Sequence, residues 1–498
     1  MEPTKKAENL HLNTMEPIKK HDKRHLDSIP AGSLGIIPVQ GCEQMASEID
    51  YYLTRWRAER ESEHKGSLAY IGYKSPTYII DCSLPRFGTG EGKGVLSKSV
   101  RGMDLYLLAA VVNYSETYKM FGITNHMSPD DHYQNLKRVI ASIGGKARRI
   151  TVIMPYLYES RQHKRTSRES LDCAIALQEL VRMGVDNIIT FDANDPRVMN
   201  AIPLNGFDTV QPAYQFIKGL LRSVDDLKVD KDHMLIISPD EGGMKRAVYY
   251  ANVLGLDMGM FYKRRDYSTF VDGVNPVLDH VFLGSSVEGK DMVVIDDMLS
   301  SGDSILEVAG ALKKRNARRV FICETFGLFT DGIEKFDKAY AEGKFDKIIT
   351  TNLIYQKPEL KERPWYVCCG MSKYLAYLID TLNHDSSISD LLDPREKILN
   401  IVARYNKARE AAVQNVSDIE TLAFELEKSA AKLQGCGKQI LLSFTGDPYC
   451  GIDNTPTRQA LEILNRYQHH VAILTKGGTR CLQDMEIFKQ FGNRIKVG

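Results

Sequence analysis

The chain has 498 residues, with 65 Lys and Arg against 64 Asp and Glu and a formal net charge of +1. So even a balance removes the electrostatic reason to expect nucleic acid or a membrane surface as the main partner, and the length allows two to four packed domains. No apolar run reaches the roughly 20 residues that span a bilayer, the start of the chain is polar, and the nine cysteines show no CxxC or zinc-ligand spacing, so a cytoplasmic protein with reduced thiols is expected.

Residues 1–34 are charged and poor in large apolar side chains, which predicts a flexible arm. MEPTKK at Met1 recurs as MEPIKK at Met15, which a displaced start codon would explain. From about residue 35, short apolar runs alternate with helical patterns. LGIIPV, TYIID, LYLLAAV, RRITVIMPY, NIITFD, HMLIISPD, MVVIDD, RRVFICETF and KIITTNLI read as buried strands, several ending in Asp or Ser. GTGEGKG (88–94) imitates a nucleotide P-loop, but its spacing is one residue short and no Ser or Thr follows Lys93. ESLDCAIALQELVRMG places Leu171, Ala174, Leu177 and Val181 on one side of a helix that stops at Gly184. Alternating strands and helices predict an α/β fold around parallel sheets, with ligands at the carboxyl ends of the strands. Beyond 386, Ile398, Ile401, Val402 and Tyr405 form a helical stripe behind Pro394. A capping box, Ser417 to Glu420, predicts the start of a second helix, and QILLSFTGDPYC and HVAILTKGG read as two further strands.

The most informative stretch is VVIDDMLSSGDSIL (293–306). MVVI (292–295) reads as a strand, and Ile305, Val308, Ala309 and Leu312 form the apolar face of the next helix. The turn between them holds Asp296, Asp297, Ser300, Ser301, Gly302, Asp303 and Ser304. Backbone N–H groups at a helix start, with small hydroxyl side chains, suit a phosphate monoester; Asp303 is expected to point away from it. The paired carboxylates suit the vicinal hydroxyls of a sugar, directly or through Mg2+. The plainer alternative is a strand-to-helix turn whose acids cap the helix.

The pattern D-D-x-x-x-[ST]-G-x-[ST] after a strand resembles the ribose-5-phosphate loop of type I phosphoribosyltransferases and of ribose-phosphate pyrophosphokinases. RRITVIMPYLYESRQHKRTSRES (148–170) carries Arg161, Gln162, Lys164, Arg165 and Arg168 in one loop, a density of base that suits polyphosphate. It resembles the segment that meets ATP in the pyrophosphokinases and that plain phosphoribosyltransferases lack. RFGTGEGKGVLSKSVRGMDLYLL (86–108), SPDEGGMKRA (238–247) and FYKRRDYS (261–268) extend the likeness in order, over roughly residues 35 to 385.

The resemblance implies two type I phosphoribosyltransferase-like domains: 35–208 on the ATP side and 209–385 on the ribose-5-phosphate side. A helical linker (386–437) and a small α/β fragment (438–498) would follow. It implies a diphosphokinase that moves pyrophosphate from MgATP to the 1-hydroxyl of ribose 5-phosphate, giving phosphoribosyl pyrophosphate and AMP. Lys263 and Arg265 would be catalytic, and Phe87, Glu91, Arg161 and Gln162 would bind ATP. Asp296, Asp297, Ser300, Ser301, Gly302 and Ser304 would hold ribose 5-phosphate, while Asp192, Asn194 and Asp240 would face Mg2+. Homo-oligomers, dimers or hexamers, with the adenine pocket shared across an interface, are likewise implied.

The chain departs from the family at several points. Asp192-Ala193-Asn194 replaces the usual Asp-x-His, and Thr89 and Ser300 stand where the family commonly has acids. An amide can offer an oxygen but cannot act as a base. Two alternatives therefore stand beside the synthetase: a non-catalytic, nucleotide-binding regulator, and a pyrophosphokinase acting on another 5-phosphorylated ribose such as ADP-ribose. SFTGDPY, TRQALEIL and AILTKGG near the end resemble a segment of spore-photoproduct-lyase-type radical-SAM proteins. The CxxxCxxC that would ligate a cluster is absent, so no radical activity is expected there.

Overall fold

Strands whose two faces are both covered by helices read as unbroken apolar runs, and such runs organise this chain into parallel sheets. The computed structural model describes residues 28–63, 73–265, 277–437, 439–442, 455–473 and 478–497. Its first lobe opens with β1 (Leu34–Pro38) and α1 (Glu43–Glu63), then a hairpin of β2 (Cys82–Ser83) and β3 (Val95–Leu96). β4 (Asp104–Leu108) follows, then a second hairpin, β5 (Thr117–Met120) with β6 (Ile123–His126). α2 (Pro129–Ile143), β7 (Arg149–Ile153), α3 (Asp172–Arg182), β8 (Asn187–Phe191) and β9 (Gly206–Val210) complete it. The five long strands pair in the order β1-β4-β7-β8-β9, all parallel.

Local signals explain the element ends. α2 starts at a capping box in which Ser128 and Asp131 satisfy each other's backbone N–H, with Pro129 in the first turn, and it stops at the left-handed Gly144. The expected strand TYIID is reduced to a single bridge, Ile79 to Ile36. α3 buries Cys173, Ala176, Leu177 and Leu180, a stripe rotated from the expected one because Leu171 lies outside the helix as its N-cap.

The second lobe contains α4 (Ala213–Ser223), β10 (Met234–Ser238), α5 (Met244–Leu254), β11 (Asp257–Arg265) and β12 (Val277–Gly284). It continues through β13 (Asp291–Leu299), α6 (Asp303–Lys314), β14 (Arg319–Gly327), α7 (Glu334–Ala341), β15 (Lys347–Thr351), β16 (Tyr366–Cys369) and α8 (Ser372–Asn383). Its seven strands run β12-β11-β10-β13-β14-β15-β16, parallel except for the antiparallel edge pair β11/β12. β13 outruns the expected MVVI strand. Its ladder with β14 continues to Leu299, so Asp296 and Asp297 stand on the strand and not in the turn.

α8 follows the second sheet in the chain yet packs against the first. Leu375, Ala376, Leu378 and Ile379 share one core with Ile36, Tyr106, Ile153, Ile189 and Phe191. A buried polar network runs beside that core. Arg57 Nε lies 3.0 Å from Asp380 Oδ1, and Arg60 pairs with the same carboxylate. Arg57 Nη2 donates to Asn383 Oδ1 at 2.7 Å, and Asn383 Nδ2 donates to Asp104 Oδ2 at 2.8 Å. Asp104 in turn holds Arg149 at 2.7 Å.

After α9 (Ser389–Leu392), a single 39-residue helix, α10 (Arg395–Leu433), replaces the two expected helices. It contains no Gly or Pro, and a Ser-Asp pair costs too little helix propensity to break it at Ser417. The chain divides into compact units at Val402/Ala403. The later unit has a parallel sheet of β17 (Gln439–Leu442), β18 (His470–Ile473) and β19 (Ile495–Val497), with α11 (Thr455–Arg466) and α12 (Met485–Phe491). Leu461, Leu464, Val471, Ile473 and Phe491 are buried in its core. The SFTGDPY segment lies outside the described residues. No described helix is long and apolar enough to cross a membrane.

Burial alone would raise the Asp380 carboxyl, but Arg57 and Arg60 beside it outweigh that and hold it below its ordinary value. Its contribution is therefore present above the unfolded carboxylate's pKa of about 3.9 and is lost as pH falls through the depressed native value. Asp380→Ala leaves two guanidinium groups without their shared anion. A loss of about 3–5 kcal/mol is expected, read as a lowered urea midpoint at neutral pH that converges toward wild type in acid.

Candidate functional site

The carboxyl ends of β8, β10, β13 and β14 bring residues of both lobes together. Asp192, directly after β8, is buried and has φ +39°, a left-handed conformation that Asp tolerates better than most residues. Its Oδ1 accepts from Arg246 Nε at 2.8 Å and its Oδ2 from Thr325 Oγ1 at 2.7 Å. Arg246, on α5, also donates through Nη1 to Asp296 Oδ1 at 3.1 Å, and its Nη2 lies 4.0 Å from Asp297 Oδ2. Asn194 Nδ2 donates to the same Asp297 oxygen at 3.3 Å. One arginine thus ties the first lobe to the acid pair of the second.

Three carboxylates face that single guanidinium, with Glu324 buried beside Asp296. Burial pushes the Asp296 carboxyl well above its ordinary value, and neighbouring Asp297 pushes it further. Glu324 sits opposite Asp296 across the β13/β14 ladder and is 1% exposed. Burial, Asp296 and Asp297 all raise it, and its Oε2 has no hydrogen-bond partner among the described residues. Crowding buried carboxylates around one cation disfavours their charged forms, which is why Asp296 and Glu324 are both pushed upward.

The turn after β13 is shaped as a cradle. Gly302, the N-cap of the 12-residue α6, has φ +91°, and a Cβ there would run into the Phe336 ring. Only glycine fits both demands. No side chain caps the helix at Gly302, and the Asp303 N–H makes only a long 3.5 Å approach to Ser301 Oγ; the positive end of a helix dipole favours an anion at such a start. Asp303 is exposed, and one of its oxygens accepts from Lys335 Nζ at 2.8 Å while the other accepts the Ser301 hydroxyl at 2.9 Å, so it does not turn wholly away from the cradle as expected. Gly243 allows a second close approach: a Cβ would come within 2.9 Å of Ser238 Oγ and 3.3 Å of Asp296 Oδ1.

The profile for the N-terminal domain of ribose phosphate pyrophosphokinase matches residues 34–184, and that for the phosphoribosyl transferase domain matches residues 207–363. Residues 34–363 belong to the ribose-phosphate pyrophosphokinase family. The ribose-phosphate pyrophosphokinase of Pasteurella multocida (strain Pm70) is 28% identical over 314 residues, 62% of this chain and 90% of that protein. That of Vibrio parahaemolyticus serotype O3:K6 is 27% identical over 317 residues, 63% of this chain and 91% of that protein. The crystal structure of phosphoribosylpyrophosphate synthetase from Mycobacterium smegmatis superposes with a TM-score of 0.55 at 20% identity, covering 71% of this chain and 100% of that one. The fold is therefore that of two phosphoribosyltransferase-type parallel-sheet domains, with an additional C-terminal α/β region.

Within this fold, the other expected site residues stand on separate loops and strands, with Tyr156 near both Arg161 and Asp297. Arg161 is exposed on the turn Ser160–Gln162 after β7, in one loop with the exposed Lys164, Arg165 and Arg168. Gln162 is spent on the loop itself, its Nε2 donating to Ser170 O at 2.7 Å. Phe87 and Glu91 occupy an exposed tip, closed by the Phe87 N–H donating to Glu91 O at 2.7 Å. Lys263 and Arg265 fall on β11, opposite His280 and Val277 of β12; their side chains lie outside the described residues.

The three residues assigned to Mg2+ do not form a cation cage. Both Asp192 oxygens are taken by Arg246 and Thr325, and Asn194 turns its NH2 group to Asp297. Asp240 Oδ1 accepts the Gly242 and Gly243 amides at 2.8 and 3.3 Å. Among the described residues, no three His, Cys, Asp or Glu side chains are grouped to hold a metal. Arg246, Glu324 and Thr325 were not anticipated. Arg246 lay within SPDEGGMKRA, and Glu324 was an acid inside an apolar run, a rare placement that itself marks a site.

Gly302→Ala tests the cradle. Its strained φ and the clash with Phe336 predict a loss of about 1–3 kcal/mol in urea unfolding. Inorganic phosphate is expected to raise the melting temperature of the wild type and to leave that of the variant unchanged.

Proposed function

We propose that the protein is a ribose-phosphate diphosphokinase, which transfers the pyrophosphoryl group of MgATP to the 1-hydroxyl of ribose 5-phosphate. The observation that supports this reading is the joining of an acid pair to an anion cradle in one strand–turn–helix, tied through Arg246 to the lobe that bears the basic loop. In this reading Asp296 and Asp297 accept hydrogen bonds from the ribose hydroxyls. The N–H groups and hydroxyls of Ser300, Ser301, Gly302 and Ser304 hold the 5-phosphate. That leaves the 1-hydroxyl facing the first lobe, where Arg161 and the neighbouring cations neutralise the triphosphate.

The ribose O1–Pβ bond forms as the bond from Pβ to the α-phosphate oxygen breaks. AMP departs, and the hydroxyl proton passes to solvent. Positioning and charge neutralisation carry such a transfer, with little covalent work for the protein. Lys263 and Arg265 are assigned to the charge that develops on the transferred group. Mg2+ enters with the nucleotide as part of the substrate. The exposed Phe87, Phe121 and Ile123 (55%, 77% and 66%) cluster on two hairpin tips, where the Phe121 N–H donates to Gly88 O at 2.8 Å. We assign these tips to contact with a second copy, which would place Phe87 and Glu91 at the partner's adenine.

One observation favours a second reading, a regulator that binds nucleotide without turning it over: the metal-side oxygens of Asp192 are closed off, and an amide replaces the usual imidazole at Asn194. Phosphorus NMR of the protein with MgATP and ribose 5-phosphate separates the two. The synthetase yields AMP and phosphoribosyl pyrophosphate at enzyme-like turnover. Binding of ATP without AMP, even with Mn2+ or in Asn194→His, would establish the regulator. For the synthetase, Asp296→Asn removes a charged acceptor worth about 1.5–3 kcal/mol. It is expected to lower kcat/KM for ribose 5-phosphate by roughly 10- to 150-fold and to leave the KM for ATP nearly unchanged.

A further inference from the structure

Glu324 is a buried acid that the transfer chemistry leaves without a role. It stands inside β14, 1% exposed, and its Oε2 has no hydrogen-bond partner among the described residues. A buried carboxyl oxygen in that state lowers stability, and a strand core would be firmer with an apolar residue in its place. Such a group calls for a reason beyond packing.

The register of the sheet supplies one. Residues paired across a parallel ladder carry their side chains on the same face, on strands about 4.8 Å apart. Glu324 is paired with Asp296 of β13 on one side and with Thr350 of β15 on the other. The Thr350 hydroxyl is engaged with Tyr366 Oη at 2.6 Å. An amide at position 324 could donate to Asp296, whereas a carboxylate there only accepts.

The other neighbours of Asp296 are equally poor in donors. Among the described residues, two donors reach its side chain, Arg246 Nη1 at 3.1 Å and the Asp297 N–H at 3.0 Å, and both end on Oδ1. Besides Arg246, the charged groups that act on it are the acids Asp297 and Asp240. Its side chain is 21% exposed, so Oδ2 is not walled in as Glu324 is. Burial and the surrounding acids push both Asp296 and Glu324 above their ordinary values, as befits carboxyls short of donors.

We propose that Glu324 is a positioning residue that acts through Asp296: by withholding an internal donor, it keeps Asp296 Oδ2 for a hydroxyl of the bound sugar. The ligand selected in this way is a phosphate ester whose sugar brings hydroxyl donors to the acid pair. The inference rests on the sugar-phosphate part of the reading above and holds whether or not pyrophosphoryl transfer follows.

Glu324→Gln keeps the shape of the side chain and hands Asp296 a donor; Glu324→Asp keeps an acid. Titration calorimetry with ribose 5-phosphate and with inorganic phosphate, together with urea unfolding, compares both variants with the wild type. Glu324→Gln is expected to raise the urea midpoint and to weaken ribose 5-phosphate by about tenfold or more. Inorganic phosphate, which meets only the cradle, should bind it as it binds the wild type. Glu324→Asp should retain most of the affinity for ribose 5-phosphate. Unchanged ribose 5-phosphate affinity in Glu324→Gln, a parallel loss of phosphate affinity, an equal loss in Glu324→Asp, or a lowered urea midpoint in Glu324→Gln would overturn the inference and leave the sugar-phosphate reading standing. A wild type that binds ribose 5-phosphate no more tightly than phosphate would overturn that reading, and the inference with it.

Discussion

The organisation of the first site depends on one guanidinium shared among too many carboxylates. Arg246 satisfies Asp192 from one lobe and Asp296 from the other, with Asp297 a little farther off. Removing it would strand buried charge on both sides at once, the situation in which breaking an ion pair is most damaging. Because Arg246 stands on α5, directly above the glycine turn that approaches Asp296, the packing of that helix also sets the spacing of the acid pair. Position and charge are controlled by the same element.

The surplus of acid has a chemical use. A pair of carboxyls short of positive charge, one of them raised by burial and by its neighbour, gains from hydrogen-bond donors or from a cation arriving with the substrate. Glu324, behind them, has an oxygen without a partner and is held up by the same acids. One guanidinium thus serves more acids than it can fully pair.

Much of the fold was readable from the sequence, for a definite reason. Parallel strands buried on both faces leave unbroken runs such as VVI and FIC, and caps such as Ser128 with Asp131 announce helix starts. What stayed hidden depends on pairing between distant segments. The Asp296–Glu324 opposition is a matter of register, and no local pattern encodes how far a ladder continues. The reach of Asp192 to Arg246 depends on how two sheets meet. The cradle could be foreseen because Gly302 and the helix start form within a few residues. The pairing of Asp192 with Arg246 and Thr325 was hidden for the same reason, since its partners lie on distant elements. Ser417 misled because a good local cap signal, inside a run free of Gly and Pro, yields to the continuing helix.

The return of α8 to the first sheet bears on how the chain comes into being. The face of that sheet that receives Leu375 and Ile379, and the guanidinium groups of Arg57 and Arg60, wait for residues that leave the ribosome more than 300 positions later. Domains generally fold as they emerge, but this one has its lid at the far end of its sibling. Until α8 emerges, that apolar face lacks its cover and Arg57 and Arg60 lack their carboxylate. The first lobe is therefore finished by a helix that is translated only after the second sheet is complete.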